Sequence, residues 1–322
     1  MKVLVTCPPM LGMIDSFRLL FEKYGVEVTA AKVVQTLSVE ELNQLVPQHD
    51  GWIIGDDPAT REVFAAGKAG RLKAAIKWGI GVDNVDFVAC QELGIPITNT
   101  PNMFGAEVAD IAMGYVIALA RETFQIDDGI RQGQWPKPRG ISLAGKTVAL
   151  VGYGDIGKSA AKRLLASDMQ VIAYDPVAPD SVELSAVQRA QWPLRIEEAD
   201  FIVATCSLTP SSRHMINADV FAKAKDGVRV VNVGRGPVID QATLEAALQS
   251  GKVYSAALDV FEIEPLPMDC YLRTHPRCIF GSHNASNTAD AVTRTSKIAI
   301  DKLMGFLGQG HQVGADETVK TP

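Results

Sequence analysis

Arg235 stands between two glycines in VVNVGRGPVID, Glu264 lies in DVFEIEPLP, and His283 lies in FGSHNASNT. Each follows an apolar run that reads as a strand. Each therefore sits at a strand's C-terminal end, the edge where open α/β sheets bind ligands. A guanidinium flanked by glycines can reach a carboxylate with its planar fork. A carboxylate beside an imidazole favours the protonated ring, so Glu264 and His283 can act as an acid/base pair. Alone, each has a bland alternative: an arginine capping loop carbonyls, a solvated glutamate, a structural histidine. Together they can hold a substrate, polarise its carbonyl and exchange a proton at its oxygen. There is no serine elbow or Ser/His/Asp arrangement, and this chemistry needs no covalent nucleophile.

Reducing a carbonyl also needs a hydride source. Residues 147–157 read TVALVGYGDIG, a strand running into Gly152-x-Gly154-x-x-Gly157 and then a helix. Gly152 allows the tight turn, Gly154 lets backbone approach a pyrophosphate, and Gly157 lets helix and strand pack closely. The helix N-terminus then offers amides to the phosphates. Asp175 closes the next strand, VIAYD, where a carboxylate can accept from both ribose hydroxyls. It would repel the additional phosphate of NADP, and Pro176 and Val177 offer no arginine to receive one. The expected cofactor is NAD. A third site is expected in KWGIGVDNVD: two glycines after a strand would expose the amides of Gly79, Ile80 and Gly81 as a nest for a substrate carboxylate. A plain turn is the alternative.

The elements that must position these residues alternate between apolar runs and helical patterns, which implies an α/β fold with right-handed crossovers. A first series of strands is expected at residues 2–6, 26–29, 52–55, 74–78 and 96–98, with a helix near 16–24. A second series falls at 146–151, 171–174, 201–205, 228–233, 253–258 and 278–280, the pattern of a six-stranded doubly wound sheet. One helix in it follows residues 146–151, at 156–167. Another starts at the N-cap Asp240 and ends before Gly251. Long helices are expected at 106–123 and 288–307, the latter able to return to the first domain. The expected architecture is two doubly wound parallel-sheet domains, a Rossmann cofactor domain over 102–285 and a flavodoxin-like substrate domain from 1–101 and 286–322. The ligands are expected in a cleft between them.

The chain has 322 residues, enough for about two domains, with 47% hydrophobic and 21% charged residues. A net charge of −6 argues against a nucleic-acid partner, which needs a basic face. The longest apolar stretch, 111–120, is too short to span a bilayer, and MKVLVTCPPM is not a signal peptide. Five scattered cysteines without a CxxC read as reduced thiols in the cytoplasm, with no metal site. The polar tail after Gly308 is expected to be loose.

These motifs, in this order over about residues 50–300, resemble the D-isomer-specific 2-hydroxyacid dehydrogenase family, in particular its phosphoglycerate dehydrogenase-like branch. The resemblance rests on WGIGVDNVD, GIPITNTPN, GAEVADIAMGYVIALAR, LAGKTVALVGYGDIGK, VVNVGRGPVID, AALDVFEIEP and SHNASNT. It implies hydride transfer between NAD and C2 of a small D-2-hydroxy or 2-keto acid. It also implies substrate binding by Arg235, orientation of His283 by Glu264, and acid/base catalysis by His283. Asp259 resembles the aspartate that faces the nicotinamide carboxamide. The implied cofactor contacts are Gly152, Gly154, Asp155, Ile156, Gly157, Asp175, Cys206, Val233 and Asp259, and the implied assembly is a homodimer through the cofactor domains. Formate dehydrogenases of the family carry glutamine where Glu264 stands, so a glutamate implies a keto-acid substrate.

Three departures narrow the substrate. Asp56 and Asp57 stand where phosphoglycerate dehydrogenases often place an arginine, and an acidic pair there does not favour a phosphorylated substrate. Relatives usually have histidine or asparagine near Cys206, before the leucine–threonine pair. The long C-terminal regulatory domain of many serine-pathway enzymes is not in this sequence. Two other readings stay open: an NAD-sensing binding module of the same fold, and a dehydrogenase for a substrate without a 2-hydroxy carboxylate, such as phosphite.

Overall fold

The computed structural model describes residues 1–178 and 184–309; most of the tail singled out above, from residue 310 on, lies outside them. The chain forms two compact units, Met1–Met103 with the chain from Asn287 on, and Phe104–Ser286.

In the first unit five strands, β1 (Lys2–Val5), β2 (Glu27–Ala30), β3 (Gly51–Ile54), β4 (Ala74–Lys77) and β5 (Ile97–Asn99), form one parallel sheet in the order β2-β1-β3-β4-β5. That is the flavodoxin-like order. Every residue of β3 and β4 is buried, as helix-covered parallel strands must be. Burying each Ile or Trp side chain here contributes roughly 1.5–3 kcal/mol. Connecting helices are started by their own caps. Ser38 and Glu41 form a reciprocal capping box on Val39–Leu45, Thr60 caps Arg61–Ala69, and Asp86 caps Phe87–Leu93. The last helix, Ala289–Phe306, lies on β3 and β4. Trp78 Nε1 donates to its Ser296 Oγ at 3.1 Å, and Gly51 keeps room for its Leu303.

In the second unit β6 (Thr147–Val151), β7 (Gln170–Tyr174), β8 (Gln188–Arg189), β9 (Phe201–Ala204), β10 (Val228–Asn232), β11 (Val253–Leu258) and β12 (Cys278–Phe280) form a parallel sheet in the order β12-β11-β10-β9-β6-β7-β8. The sheet is doubly wound, with seven strands rather than the six expected. The additional strand is β8, whose two residues are too few to show a hydrophobic period. Strand order reverses between β6 and β9, which makes their C-terminal ends the topological switch point. The expected helix over 106–123 runs Gly105–Arg121, then breaks at Glu122 (φ +53°) and restarts as Thr123–Arg131.

Candidate active site

The glycine turn occupies the switch point. Gly152 has φ +97°, and a Cβ on it would lie 2.6 Å from Cys206 N, on the turn after β9. A Cβ on Gly157 would sit on the Gly152 carbonyl. Gly154, by contrast, is exposed and has open space around it. It is the N-cap of the helix Asp155–Ala166, so the first amides of that helix face the same space. Two glycines thus make the turn and the third keeps a space open in front of a helix N-terminus. This is the arrangement a dinucleotide pyrophosphate requires, and the residues present fit it. Ile156 is half-buried in the first turn of that helix. The Asp155 side chain turns towards Gly105, whose amide it accepts; burial pushes its carboxyl up, and Glu107 adds to the rise.

Asp175 follows β7 at the far end of this site. Its Oδ2 accepts from Tyr153 N (2.8 Å), and its Oδ1 accepts from Val177 N (2.9 Å) and Ala178 N (2.8 Å). Burial opposes its charge, but these three amides and Arg189 outweigh burial and hold its carboxyl below the ordinary range. Pro176 and Val177, next in the chain, offer no arginine at this turn. Arg189, delivered by β8, is one.

On the other side of the switch point, Val233 is buried and Cys206 is half-buried, its thiol pushed up to about 12 by desolvation. Asn232, the last residue of β10, shapes the next turn: its Oδ1 accepts from Gly234 N (3.0 Å) and its Nδ2 donates to Arg235 O (2.9 Å). Arg235 Nη1 donates to Gly234 O at 3.0 Å. Gly236 has no room for a side chain, because a Cβ would overlap the Phe261 carbonyl. This close approach brings the Arg235 turn against the segment that carries Glu264.

Glu264 and His283 are brought together. Glu264 Oε2 lies 2.7 Å from His283 Nδ1, and Glu264 Oε1 accepts from Phe261 N at 2.9 Å. Both side chains are 21% exposed, so the pair is sheltered without being sealed. His283 has φ +56°, a left-handed backbone costly for a residue with a side chain. Asp259 at the end of β11 holds that conformation. Its carbonyl accepts from His283 N (2.7 Å), while its carboxylate accepts from Asn284 N (3.2 Å) and Ala285 N (3.0 Å). Burial pushes the Asp259 carboxyl up, against those amides and the nearby His283. Gly281 is required beside it, because a Cβ there would overlap Asp259 and crowd the Tyr115 hydroxyl at 2.7 Å.

In the first unit, Gly79 takes φ +117°, which a glycine supplies readily. Its amide donates to Thr100 Oγ1 at 2.8 Å, so the turn is partly pinned from β5. Ile80 is exposed and Gly81 is buried beside it. Asp56 and Asp57 do not act as a pair. Asp57 is fully buried, accepting from the Thr6 hydroxyl, Leu37 N (2.9 Å) and Gly55 N (3.2 Å), and burial pushes its carboxyl up. Asp56 pairs instead with Lys77, whose buried Nζ also donates to Gly55 O (2.7 Å) and Trp78 O (3.1 Å). Lys77 is a cation the sequence reading passed over. Its signal was there: a charge ending a strand whose other residues are all apolar. Arg189 gave no comparable signal.

The sequence profile of the D-isomer specific 2-hydroxyacid dehydrogenase NAD binding domain matches residues 113–285. A hydroxypyruvate reductase from Thermotoga maritima is 37% identical over 300 residues, covering 91% of this chain and 95% of its own. A D-3-phosphoglycerate dehydrogenase from Methanocaldococcus jannaschii is 35% identical over 95% of this chain but 57% of its own, and the chain spans about half the length of the other phosphoglycerate dehydrogenases it matches. The NAD complex of a formate dehydrogenase from Staphylococcus aureus superposes with a TM-score of 0.84 at 25% identity, over 97% of this chain and 98% of that one. The chain belongs to the D-isomer specific 2-hydroxyacid dehydrogenase family, and its cofactor is NAD.

Proposed function

We propose that this chain reduces a small, unphosphorylated 2-keto acid of the hydroxypyruvate kind to its D-2-hydroxy acid, and runs the reverse reaction on the same residues. The observation that carries the reading is the 2.7 Å contact between Glu264 Oε2 and His283 Nδ1. With Nδ1 facing Glu264, we give proton exchange with substrate to Nε2. NADH, when bound, would supply the hydride to C2. His283 Nε2 gives its proton to the carbonyl oxygen as the C–O double bond becomes a single bond, and takes it back in oxidation. Arg235 binds the substrate and stabilises charge building on that oxygen. Glu264 keeps the imidazole oriented.

In this reading the second unit holds NAD and the first binds the substrate. Gly152, Gly154, Asp155, Ile156 and Gly157 would hold the phosphates of NAD, Asp175 its adenosine ribose, and Cys206, Val233 and Asp259 its nicotinamide half. A substrate carboxylate is held in the first unit by the turn Gly79–Gly81, through the amides of Ile80 and Gly81. The charges beside that turn favour a monoanion, because Asp56 offsets Lys77. The name of the Thermotoga relative, and its matching length, support the same substrate class. The second unit also mediates a homodimer: Ile111, Ile117, Phe124 and Ile130 lie exposed on its helices Gly105–Arg121 and Thr123–Arg131, and Trp135 follows at 77% exposure. A cytoplasmic setting fits five cysteines that all remain thiols.

The test follows NADH absorbance with glyoxylate, hydroxypyruvate, phosphohydroxypyruvate, pyruvate and branched-chain keto acids. We expect a kcat/KM for hydroxypyruvate at least tenfold above that for its phosphate ester. The opposite order overturns the substrate, and no turnover with any of them overturns the reaction.

A further inference from the structure

The segment after β11 carries two glutamates, Glu262 and Glu264, and the mechanism above uses only the second. Glu262 Oε1 lies 2.7 Å from His214 Nε2. The same oxygen accepts at 3.3 Å from the amide of Gln241, the first residue of the helix Gln241–Ser250, and Glu262 N donates to Gln241 Oε1 at 3.5 Å. A carboxylate suits that place, because amides at a helix N-terminus favour negative charge. His214 comes from the loop after β9. Its backbone is left-handed, with φ +51°, and its amide donates to Pro237 O at 2.8 Å. Two residues on, Ile216 N donates to Val238 O (3.1 Å) and Asp240 N donates back to Ile216 O (3.0 Å). The loop after β9 is thus zipped along the turn that follows Arg235, and Glu262 fastens the Glu264 segment to both.

Fixing Glu262 has a consequence one residue earlier. Phe261 N holds Glu264 Oε1 at 2.9 Å, while Glu264 Oε2 faces His283 Nδ1. Gly236 lies against the Phe261 carbonyl, a contact that can push this backbone but cannot hold it. The Glu262 side chain holds it, from the neighbouring residue. The His214 and Glu262 side chains are 43% and 31% exposed, so their contact adds little to global stability. We infer that Glu262 and His214 are positioning residues for the acid/base pair: their contact fixes the Phe261 amide, and through it the seat of the Glu264 carboxylate against His283. The inference rests on reading Glu264 and His283 as that pair.

The test measures NADH affinity, and turnover of the best keto acid of the panel above, in the parent, His214→Ala, Glu262→Ala, His214→Gln, Glu264→Gln and His214→Ala/Glu264→Gln. Both alanine variants should lose about tenfold in kcat, because small misplacements of reacting groups are costly, with KM and NADH affinity within about threefold. His214→Gln, whose amide can donate to Glu262, should recover most of the loss. In the Glu264→Gln background His214→Ala should cost less than about twofold more, since residues that act as a unit do not add. Losses that multiply in the double variant overturn the inference, as do alanine variants with parent-like kcat. If His214→Ala does not fold, Glu262→Ala takes its place in each comparison. A second readout needs no turnover. In protein isotopically labelled only at its histidine nitrogens, the His283 ring signals, identified by their disappearance in His283→Ala, should move in Glu262→Ala in the same direction as in Glu264→Gln. Unmoved signals overturn the inference even if the parent reduces none of the keto acids, whereas moved signals without turnover sink only the proposed reaction. If Glu264→Gln itself keeps the parent kcat, the reading of the pair falls and the inference with it.

Discussion

Replacing Glu264 by Gln removes the charge that faces His283 while keeping nearly the same shape. The side-chain carbonyl can still accept from Phe261 N, as Oε1 does at 2.9 Å, so the local backbone is expected to hold. What is lost is a 2.7 Å contact between a carboxylate and an imidazole, both only 21% exposed. A hydrogen bond to a charged group contributes about 1.5–3 kcal/mol. At 1.36 kcal/mol per decade, kcat should fall roughly 10–150-fold. NADH affinity should not change, because no cofactor-binding residue is touched. His283→Ala removes the proposed proton donor and should cost about two to four orders of magnitude. If Glu264 acts only through His283, the double variant should be no slower than His283→Ala beyond about threefold, since residues that act as a unit do not add. The assay is NADH consumption at saturating hydroxypyruvate, with cofactor affinity from fluorescence titration. A Glu264→Gln enzyme within twofold of the parent refutes the reasoning, as does a double variant whose loss is the product of the two single losses.

Three other outcomes follow from the packing and charges. Gly157→Ala places a methyl against the Gly152 carbonyl; it should lower stability by about 1–3 kcal/mol and weaken NADH sharply, read by thermal melting and titration, and a variant with parent-like NADH affinity contradicts the role given to that turn. Asp50 is 3% exposed; burial raises its carboxyl, but Lys2 N, Lys73 and Arg71 outweigh burial and hold it at about 2, below its ordinary 3.8. A depressed carboxyl stabilises above its unfolded value and loses that contribution as pH falls towards the folded one, so Asp50→Asn should cost about 2 kcal/mol at pH 7 and little near pH 2, measured by urea unfolding; an equal cost at both ends would show that charge is not the cause. The parent should sediment as a dimer and Phe124→Ser with Ile130→Ser should shift it towards monomer; a monomeric parent refutes the dimer, and an unchanged dimer places the interface elsewhere.

Much of this molecule is legible because its strands are short, wholly buried and closed by punctuation. GWII and AAIK read as parallel strands, and TVALV ends in a glycine turn that names its own partner. The Asp240 cap and the Gly251 stop hold as the sequence set them, with Asp240 accepting from Thr243 N at 3.1 Å and Gly251 at φ +80°. What could not be read is whatever depends on a second segment. Gly79 looks like an open nest until Thr100 is seen to occupy its amide. The left-handed backbone of His283 is enforced by Asp259 from another strand, and nothing in SHNASNT announces it.

Charge is the clearest case. Asp56 and Asp57 are neighbours in sequence, yet one is sealed under Thr6 and Leu37 while the other offsets a buried lysine. Asp175 looks like a lone acid, yet an arginine from a two-residue strand stands beside it. In both places the sequence shows the sign of one charge, while the chemistry follows from the pair. A carboxylate alone repels a phosphate. A carboxylate held beside a cation presents less charge to a phosphate than its own sign suggests. At the end of β4, Asp56, rather than the buried Asp57, offsets the charge of Lys77.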